Sequence, residues 1–184
     1  MSFDPEAGLR LQGPDADLPR RLAALRALGL GAEPDPQFDR FAAALAQDAD
    51  APYAMVNFIT DRQFFAGLFA SADQVATSSA VGRFMERDHG FCPEVLDRRK
   101  SLVLPDVFAA PRFASNPVVD QIGIRTYAGA PLIDEHSGIA LGTVCVVGTE
   151  PRPLATGRDT LHLIKSRRDE LMQLIYERAA DLPR

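Results

Sequence analysis

The regular hydrophobic pattern of this chain begins only after its first turn-rich stretch. Residues 1–16 are rich in Asp, Gly and Pro and lack an apolar period, which predicts a flexible N-terminal arm. From Leu18 apolar residues recur at helical spacing as far as Gly29, where a helix is expected to stop. Asp35 and Pro36 then combine an N-cap with a first helical residue, and an amphipathic stripe follows them. The pattern predicts two helices in succession.

The apolar spacing changes from helical to strand-like after residue 52. Residues 53–59 and 63–69 are rich in strand formers and flank a short Thr-Asp-Arg turn, which predicts a hairpin. Residues 126–133 and 139–148 flank a second turn-forming segment and predict another hairpin. Two hairpins of this kind are typical of an antiparallel sheet.

The segments between the hairpins are predicted to be mostly irregular. Residues 70–90 are interpreted as a loop with at most one helical turn, and residues 91–96 as a short helix. Residues 102–104 form a short predicted strand, and residues 105–122 a long irregular segment with a few helical residues. The resulting order of helices and strands indicates the α+β class.

The last predicted element is a helix that opens with a capping-box pattern. Thr156 is followed three residues later by Asp159, and apolar positions then recur at helical spacing. The chain is therefore divided into an arm at 1–16, one domain at 17–178 and a C-terminal tail at 179–184.

Composition and charge exclude several classes of protein. The chain has 184 residues, of which 46% are hydrophobic and 24% charged, as in an ordinary globular domain. Its longest apolar run, residues 41–46, is far shorter than a membrane span, and no secretory signal is visible. Two cysteines are too few for a disulfide scaffold, and a net charge of −5 argues against nucleic-acid binding. The prediction is a cytoplasmic protein without membrane or nucleic-acid partners.

Four segments together resemble the GAF family of sensory domains. Residues 38–42 lead into the first strand, and the hairpin at 60–65 reads Thr-Asp-Arg-Gln-Phe-Phe. Residues 90–92 read Gly-Phe-Cys at a short helix. Residues 104–132 carry the strongest match, from Leu-Pro-Asp to Tyr-Ala-Gly-Ala-Pro-Leu, and run on into Leu-Gly-Thr-Val-Cys-Val at 141–146.

The resemblance extends over roughly residues 18–176 and implies an architecture. GAF domains have a central antiparallel sheet with the N- and C-terminal helices on one face. Their pocket would lie between the sheet and residues 85–125 of this chain. The helices at 18–28 and 160–176 would form a homodimer interface. Known GAF ligands include cyclic nucleotides, haem, tetrapyrroles and small metabolites, and some members bind none, so the resemblance leaves the ligand and any cofactor unknown.

Position and chemistry select nine candidates for a ligand-binding pocket. They are Asn57, His89, Phe91, Cys92, Phe108, Arg112, Phe113, Arg125 and Tyr127. Asn57 interrupts an apolar strand, and the aromatic residues suit either a cavity lining or a core. Arg112 and Arg125 either order the long loop, with Arg112 paired to Asp106 or to loop carbonyls, or bind an anion in the pocket, and the first interpretation is favoured.

The cysteines and histidines receive separate interpretations. Cys145 lies in an apolar strand and is interpreted as a core residue. Cys92 lies at a helix start, where the helix dipole lowers a thiol pKa, so it is a candidate redox residue or nucleophile. His89 borders the predicted pocket as a hydrogen-bond donor or axial ligand. No zinc-site spacing occurs, so no metal site is predicted.

The resulting functional hypothesis is a sensory or regulatory protein with no catalytic residues. It would bind an unidentified small molecule, or respond to redox state, and signal in trans through a protein partner or a homodimer. One alternative is a thiol-dependent reductase of a small oxidised metabolite, as in the GAF branch that reduces free methionine sulfoxide. The other alternative is a dimerisation module without a ligand.

Overall fold

An antiparallel sheet forms the centre of the computed structural model, which describes residues 2–4, 9–11, 13–77 and 81–182. The strands in chain order are β1 (Ser2–Asp4), β2 (Leu9–Leu11), β3 (Tyr53–Ile59), β4 (Arg62–Ala70), β5 (Phe84–Glu86), β6 (Leu102–Leu104), β7 (Thr126–Ile133) and β8 (Ala140–Gly148). The central sheet has the order β5-β4-β3-β8-β7-β6, and its neighbouring strands are all antiparallel. β1 and β2 pair separately from it.

Helices cover both faces of this sheet. They are α1 (Leu18–Ala27), α2 (Pro36–Asp48), α3 (Ala72–Thr77), α4 (Cys92–Arg98), α5 (Pro111–Ala114), α6 (Pro117–Ile122) and α7 (Gly157–Ala180), with 3₁₀ turns at Val107–Ala109 and Leu154–Thr156. None of the helices in the described part of the chain is long and apolar enough to span a membrane.

The predicted α+β architecture with an antiparallel sheet is confirmed, including both hairpins. Two connecting segments differ from prediction. β5 lies within the stretch predicted as a loop, because Phe84 pairs with Phe64 and Glu86 with Arg62 along the open edge of β4. The stretch predicted as irregular from residue 105 contains α5 and α6, each of which begins at a proline.

The N-terminal segment contains more structure than the predicted arm. β1 and β2 form a short antiparallel ladder within it. Asp15 at its end is nearly buried, and its carboxylate forms ion pairs with Arg21 and with Arg87, the latter at 2.8 Å. Arg21 is itself buried and donates from Nε to the carbonyl oxygen of Ala140 at 2.6 Å. The end of this segment is therefore bonded to α1 and to the residue that follows β5, and Arg21 joins α1 to β8.

α2 packs closely on β4. Its N-cap Asp35 accepts hydrogen bonds from the amides of Gln37 and Phe38 at 2.8 and 3.4 Å. The Phe38 side chain that follows is buried. Gly67 on β4 allows the close approach, because a Cβ there would lie 2.4 Å from the carbonyl oxygen of Phe38.

α7 runs antiparallel to α2 on the same face of the sheet. Arg178 near its end pairs with Asp35 at 2.7 Å, while Arg167 pairs with Asp48 at the opposite end of α2. The predicted capping box at the start of α7 is absent, because Thr156 donates its hydroxyl to the carbonyl of Pro153 instead. α7 continues to residue 180, two residues beyond the predicted domain boundary.

Candidate functional site

The face of the sheet opposite α1, α2 and α7 carries a second buried cluster. Alternate residues of each central strand point to the two faces, so Ala54, Val56 and Phe58 of β3 join the helix-side core. Met55 joins the other cluster, as does Cys145 of β8, with which it pairs directly. Both faces are apolar, so these strands are buried along their whole length.

The short helix α4 places Cys92 above this second face. Cys92 is its first residue, and Val95 and Leu96 bury the same side of the helix. Gly90 precedes it with a positive φ of 74°. Asn116, the N-cap of α6, brackets Gly90 by accepting from its amide at 3.1 Å and donating to its carbonyl at 2.9 Å. α4 and α6 are therefore joined at their starts.

Cys92 and Cys145 bring two free thiols into contact. Their Sγ atoms lie 3.6 Å apart, and both residues are buried. The Cys145 Sγ also lies 3.8 Å from the Sδ of Met55. Three sulfur atoms therefore meet between α4, β3 and β8.

Tyr127 of β7 reaches this sulfur cluster from the side. Its ring lies along its own strand over Gly129, where a Cβ would lie 2.1 Å from the tyrosine hydroxyl. The hydroxyl donates to the Cys92 Sγ at 3.4 Å, and the ring packs edge-on against Phe91. Gly129 thus provides the space that lets Tyr127 contact the thiol.

Three buried polar side chains complete the site. Asn57 donates from Nδ2 to the Oε1 of Gln63 at 2.9 Å. Gln63 in turn donates to the carbonyls of Glu86 and His89 at 2.8 and 2.7 Å, which fastens the chain before α4 to the sheet. Thr143 pairs with Asn57 in the β3–β8 register, and both of these side chains favour the charged form of Cys92.

The pKa values of the two thiols are shifted in opposite directions. Hydrogen bonding from Cys145 is the main cause that lowers the pKa of Cys92, burial opposes it, and Thr143, Tyr127 and Asn57 add to the lowering. The pKa of Cys145 is raised well above its ordinary value by that same bond, by burial and by the charge of Cys92. The pair therefore loses its first proton more readily than a lone thiol and its second far less readily.

A small, partly open cavity ends at these groups. Its volume is about 40 Å³, and its walls are almost entirely apolar. Cys92, Cys145 and Tyr127 lie on its inner wall, while Val81 and Met85 on its outer wall are half-buried. A single water needs roughly 10–15 Å³ measured in this way, so the cavity admits two or three atoms the size of an oxygen.

The structure brings five of the nine predicted pocket residues to this place. Phe91, Cys92 and Tyr127 line the cavity. Asn57 lies behind Cys92 and is completely buried. Phe113 packs edge-on against Phe91, with ring centroids 5.6 Å apart.

The other four lie away from the cavity. Phe108 is 51% exposed, and the Arg125 guanidinium stacks on it while pairing with Asp106 at 3.3 Å. Arg112 is largely exposed and pairs with Glu94 at 3.2 Å. Arg125 therefore orders the loop through Asp106, whereas Arg112, for which that pairing was predicted, instead joins α5 to Glu94 of α4.

His89 contributes to the cluster through its backbone. Its carbonyl accepts from Gln63, and its side chain lines a separate surface groove beside Asp15 and Asp61. Among residues 13–77 and 81–182 no group of three or more His, Cys, Asp or Glu side chains is arranged to hold a metal ion.

Several residues of the site were not among the predicted candidates. Gln63 and Thr143 are polar residues within apolar strands, the same signal that selected Asn57. Met55 and Cys145 carried no such signal, because sulfur side chains are ordinary in a buried strand. Their contact depends on the strand register and on the placement of α4.

Tyr127→Phe is expected to raise the pKa of the Cys92 thiol. The variant keeps the ring contacts and removes a donor to the thiolate, so the midpoint of the thiol titration should rise by about one pH unit. Titration of thiolate ultraviolet absorbance against pH would measure the change. Tyr53→Phe is the matched control, because Tyr53 lines the same cavity while its hydroxyl donates to Gln74. Equal titration curves for Tyr127→Phe and the unaltered protein would contradict the assigned contact.

Comparison with known proteins agrees with this architecture. The chain is 32% identical over 146 residues to a cyclic di-GMP phosphodiesterase of Pseudomonas aeruginosa. The match covers 78% of this chain and 23% of that enzyme, so the chain spans less than a quarter of its relative.

Solved structures share the fold at low sequence identity. The free methionine-R-sulfoxide reductase of Neisseria meningitidis has a TM-score of 0.59 at 13% identity, covering 94% of this chain and 96% of that one. A far-red cyanobacteriochrome photoreceptor has a TM-score of 0.58 at 12% identity, covering 88% and 92%. The GAF domain model matches residues 33–174, which include the sheet, α4 and most of α7. The chain therefore belongs to the GAF domain family.

Proposed function

We propose that this chain is a non-catalytic sensory module that receives a very small molecule, or a redox signal, at the cavity beside Cys92. The main support for this proposal is that strands β3, β7 and β8 contribute to both faces of the sheet. One set of alternate residues faces the cavity, and the other set faces the helix-side core. A change at the cavity therefore acts on strands that also support α1, α2 and α7.

The size of the cavity supports a sensor more than a reductase of metabolites. Pockets for drug-sized ligands have volumes of roughly 300–1,000 Å³. The cavity of about 40 Å³ lacks room for an amino-acid sulfoxide unless the loops around it open. The described residues that line it also include no Asp, Glu, Lys or Arg to hold the charged groups of such a substrate.

Bonds around the cavity define a route to the rest of the molecule. Asn116 couples Gly90 to α6, and Gln63 couples the carbonyl of His89 to β4. A ligand that favours one arrangement of α4 over another would shift the population of both connected segments.

The helix face is the proposed output surface. Leu22 on α1 is 39% exposed, and many polar residues along α7 are exposed. We propose contact there with a second copy, through residues 18–28 and 160–176, or with a protein partner in trans. The relative from Pseudomonas supports a regulatory role, because this chain matches only a minor part of that enzyme.

Amide hydrogen exchange can test this function. The chain would be exposed separately to cyclic di-GMP, cyclic AMP, L-methionine sulfoxide and hydrogen peroxide, with exchange followed in α1 and α7. We expect at least one compound to alter exchange there, with an accompanying change in light-scattering mass. Val118→Ile, which adds a methylene to the cavity wall, should weaken that response, whereas Val103→Ile outside the cavity should leave it intact.

Two outcomes would contradict the proposal. Unchanged exchange in α1 and α7 with all four compounds would exclude the sensory route. Turnover of L-methionine sulfoxide in the presence of dithiothreitol, abolished in Cys92→Ala, would show that the protein is an enzyme.

A further inference from the structure

We propose that Cys92 and Cys145 form an oxidation site at which hydrogen peroxide converts the two thiols into an intramolecular disulfide. The inference rests on the proposed function for its signalling consequence, while the chemistry rests on the geometry of the thiol pair.

The two sulfur atoms are already close to bonding distance. Their separation of 3.6 Å must fall to roughly 2.05 Å for a disulfide, a closure of about 1.5 Å. Cys145 lies in a central strand paired on both sides, whereas Cys92 begins a helix of seven residues. The movement is therefore expected on the side of α4. The chain has two cysteines, so a disulfide within one molecule joins these two residues.

The environment of the pair assigns different roles to the two thiols. Tyr127 donates to Cys92, and Thr143 and Asn57 also favour its charged form, so Cys92 is the nucleophile. Cys145 keeps its proton at neutral pH and is the resolving thiol. The roles separate because Cys145 is itself the main donor to Cys92, while Thr143 and Asn57 add to the lowering at Cys92 alone and Tyr127 contacts both sulfur atoms.

The reaction balances with peroxide as the two-electron oxidant. Cys92 Sγ attacks one oxygen of hydrogen peroxide, the O–O bond breaks, and the thiol proton leaves with the second oxygen as water. Cys145 Sγ then attacks the Cys92 sulfenic sulfur, the S–O bond breaks, and the departing hydroxide takes the Cys145 proton as a second water. Two thiols and one peroxide thus give one disulfide and two waters.

The cavity selects the class of oxidant by size. Its volume of about 40 Å³ accepts a molecule with two oxygen atoms. Glutathione disulfide and an amino-acid sulfoxide are much larger, and the thiols are exposed by only 6% and 1% at Cys92 and Cys145. Peroxide can therefore reach Cys92 through the cavity, whereas a bulky disulfide cannot.

Disulfide formation changes the contacts that hold α4. The Cys92 thiolate is consumed, so the Tyr127 hydroxyl loses its charged acceptor inside the core. Drawing Cys92 toward β8 also displaces Gly90, and Asn116 carries that displacement to α6. Oxidation thereby acts on the same route as the proposed signal.

Non-reducing peptide mapping of the reduced full-length chain treated with one equivalent of hydrogen peroxide tests the inference. We expect a linked pair of peptides containing Cys92 and Cys145, loss of both titratable thiols, and a monomeric band on a non-reducing gel. The folded chain should react about tenfold or more faster than the same chain in urea, and faster than it reacts with glutathione disulfide.

Variants separate the two steps. Cys145→Ala should stop at a sulfenic acid on Cys92 that dimedone traps, whereas Cys92→Ala should abolish the fast reaction. Val118→Ile should slow oxidation of the otherwise unaltered thiol pair several-fold by filling the cavity, and Val103→Ile should not. The unaltered chain provides the linked-peptide result even if either cysteine variant fails to fold.

Some results would overturn the inference. They are reduced thiols after peroxide treatment, oxidation of Cys92 without linkage to Cys145, or equal rates in the folded and unfolded chains. A disulfide together with unchanged exchange in α1 and α7 for all four compounds would instead refute the sensory function and leave the oxidation site standing. Altered exchange in α1 or α7 with another compound, together with thiols that stay reduced in peroxide, would refute the oxidation site and leave the sensory function standing.

Discussion

Asp15→Asn is expected to lower the free energy of unfolding by about 3 kcal/mol, because it leaves a buried arginine without its counter-charge. The Arg21 side chain is only 4% exposed, and the Asp15 carboxylate is its ion-pair partner. The same carboxylate oxygen accepts from Arg87 at 2.8 Å. An asparagine of the same shape keeps an acceptor for one donor and removes the charge that stabilises both.

The contribution of Asp15 also depends on pH. Burial raises the pKa of this carboxyl, but hydrogen bonds and charge from Arg21 and Arg87 outweigh it and hold the pKa below its ordinary value. A carboxyl whose pKa is lowered by folding stabilises the protein above its unfolded pKa. That stability is lost as the pH falls through the folded pKa. The unaltered chain should therefore lose stability more steeply below about pH 4 than the Asp15→Asn variant.

Urea unfolding at neutral and acidic pH would measure both effects. Asp17→Asn is the matched control, because its side chain is 44% exposed and pairs at 3.4 Å with Arg20, which is 64% exposed. The control should change stability by less than about 0.5 kcal/mol. Equal stability of the Asp15 and Asp17 variants would show that residue 15 does not anchor the N-terminal segment.

The sequence predicts the central sheet well because its hairpins carry local signals. The turn after Ile59 and the turn before Ile139 are short and polar, and the flanking strands contain mostly strand formers. β5 has no such signal. It is a three-residue edge strand whose side chains are exposed or half-buried, so its existence depends on the free edge of β4. Local pattern therefore predicts the centre of this sheet and misses its margin.

The site is predictable only where one residue carries the signal. Cys92 stands out by its position at a helix start, and Asn57 by its polarity in an apolar strand. Cys145 resembles any core cysteine, and its role arises from contact with a residue 53 positions away. Phe108 resembles a cavity residue by type, yet it lies on the surface beneath Arg125. The tertiary structure determines where Cys145 and Phe108 lie, and the local spacing of residues in the sequence does not predict it.

Gly142→Ala is expected to reduce stability by about 3 kcal/mol or more, or to prevent folding, because the added methyl meets the backbone of the neighbouring strand β3. Gly142 pairs with Phe58 of β3 and with Leu132 of β7 in the middle of the sheet. A Cβ there would lie 1.9 Å from the carbonyl oxygen of Asn57 and 2.8 Å from the Cα of Phe58. Backbone atoms of a paired strand cannot move away by a rotamer change as a side chain can, so β3 and β8 would have to separate.

The separation would fall beside the candidate site, since Thr143 and Cys145 follow on the same strand. Any Gly142→Ala protein that folds should therefore show slower peroxide-driven linkage of the thiols as well as a lower urea midpoint.

Gly157→Ala is the matched control. The nearest atom to a Cβ there is the Cγ of Pro105 at 3.6 Å, and its backbone is already helical, so stability should stay equal or rise by about 0.5 kcal/mol. A loss below about 1 kcal/mol in Gly142→Ala would mean that β3 and β8 tolerate separation at this register. The position of Cys145 relative to Cys92 would then not depend on the close pairing of β3 and β8 at Gly142.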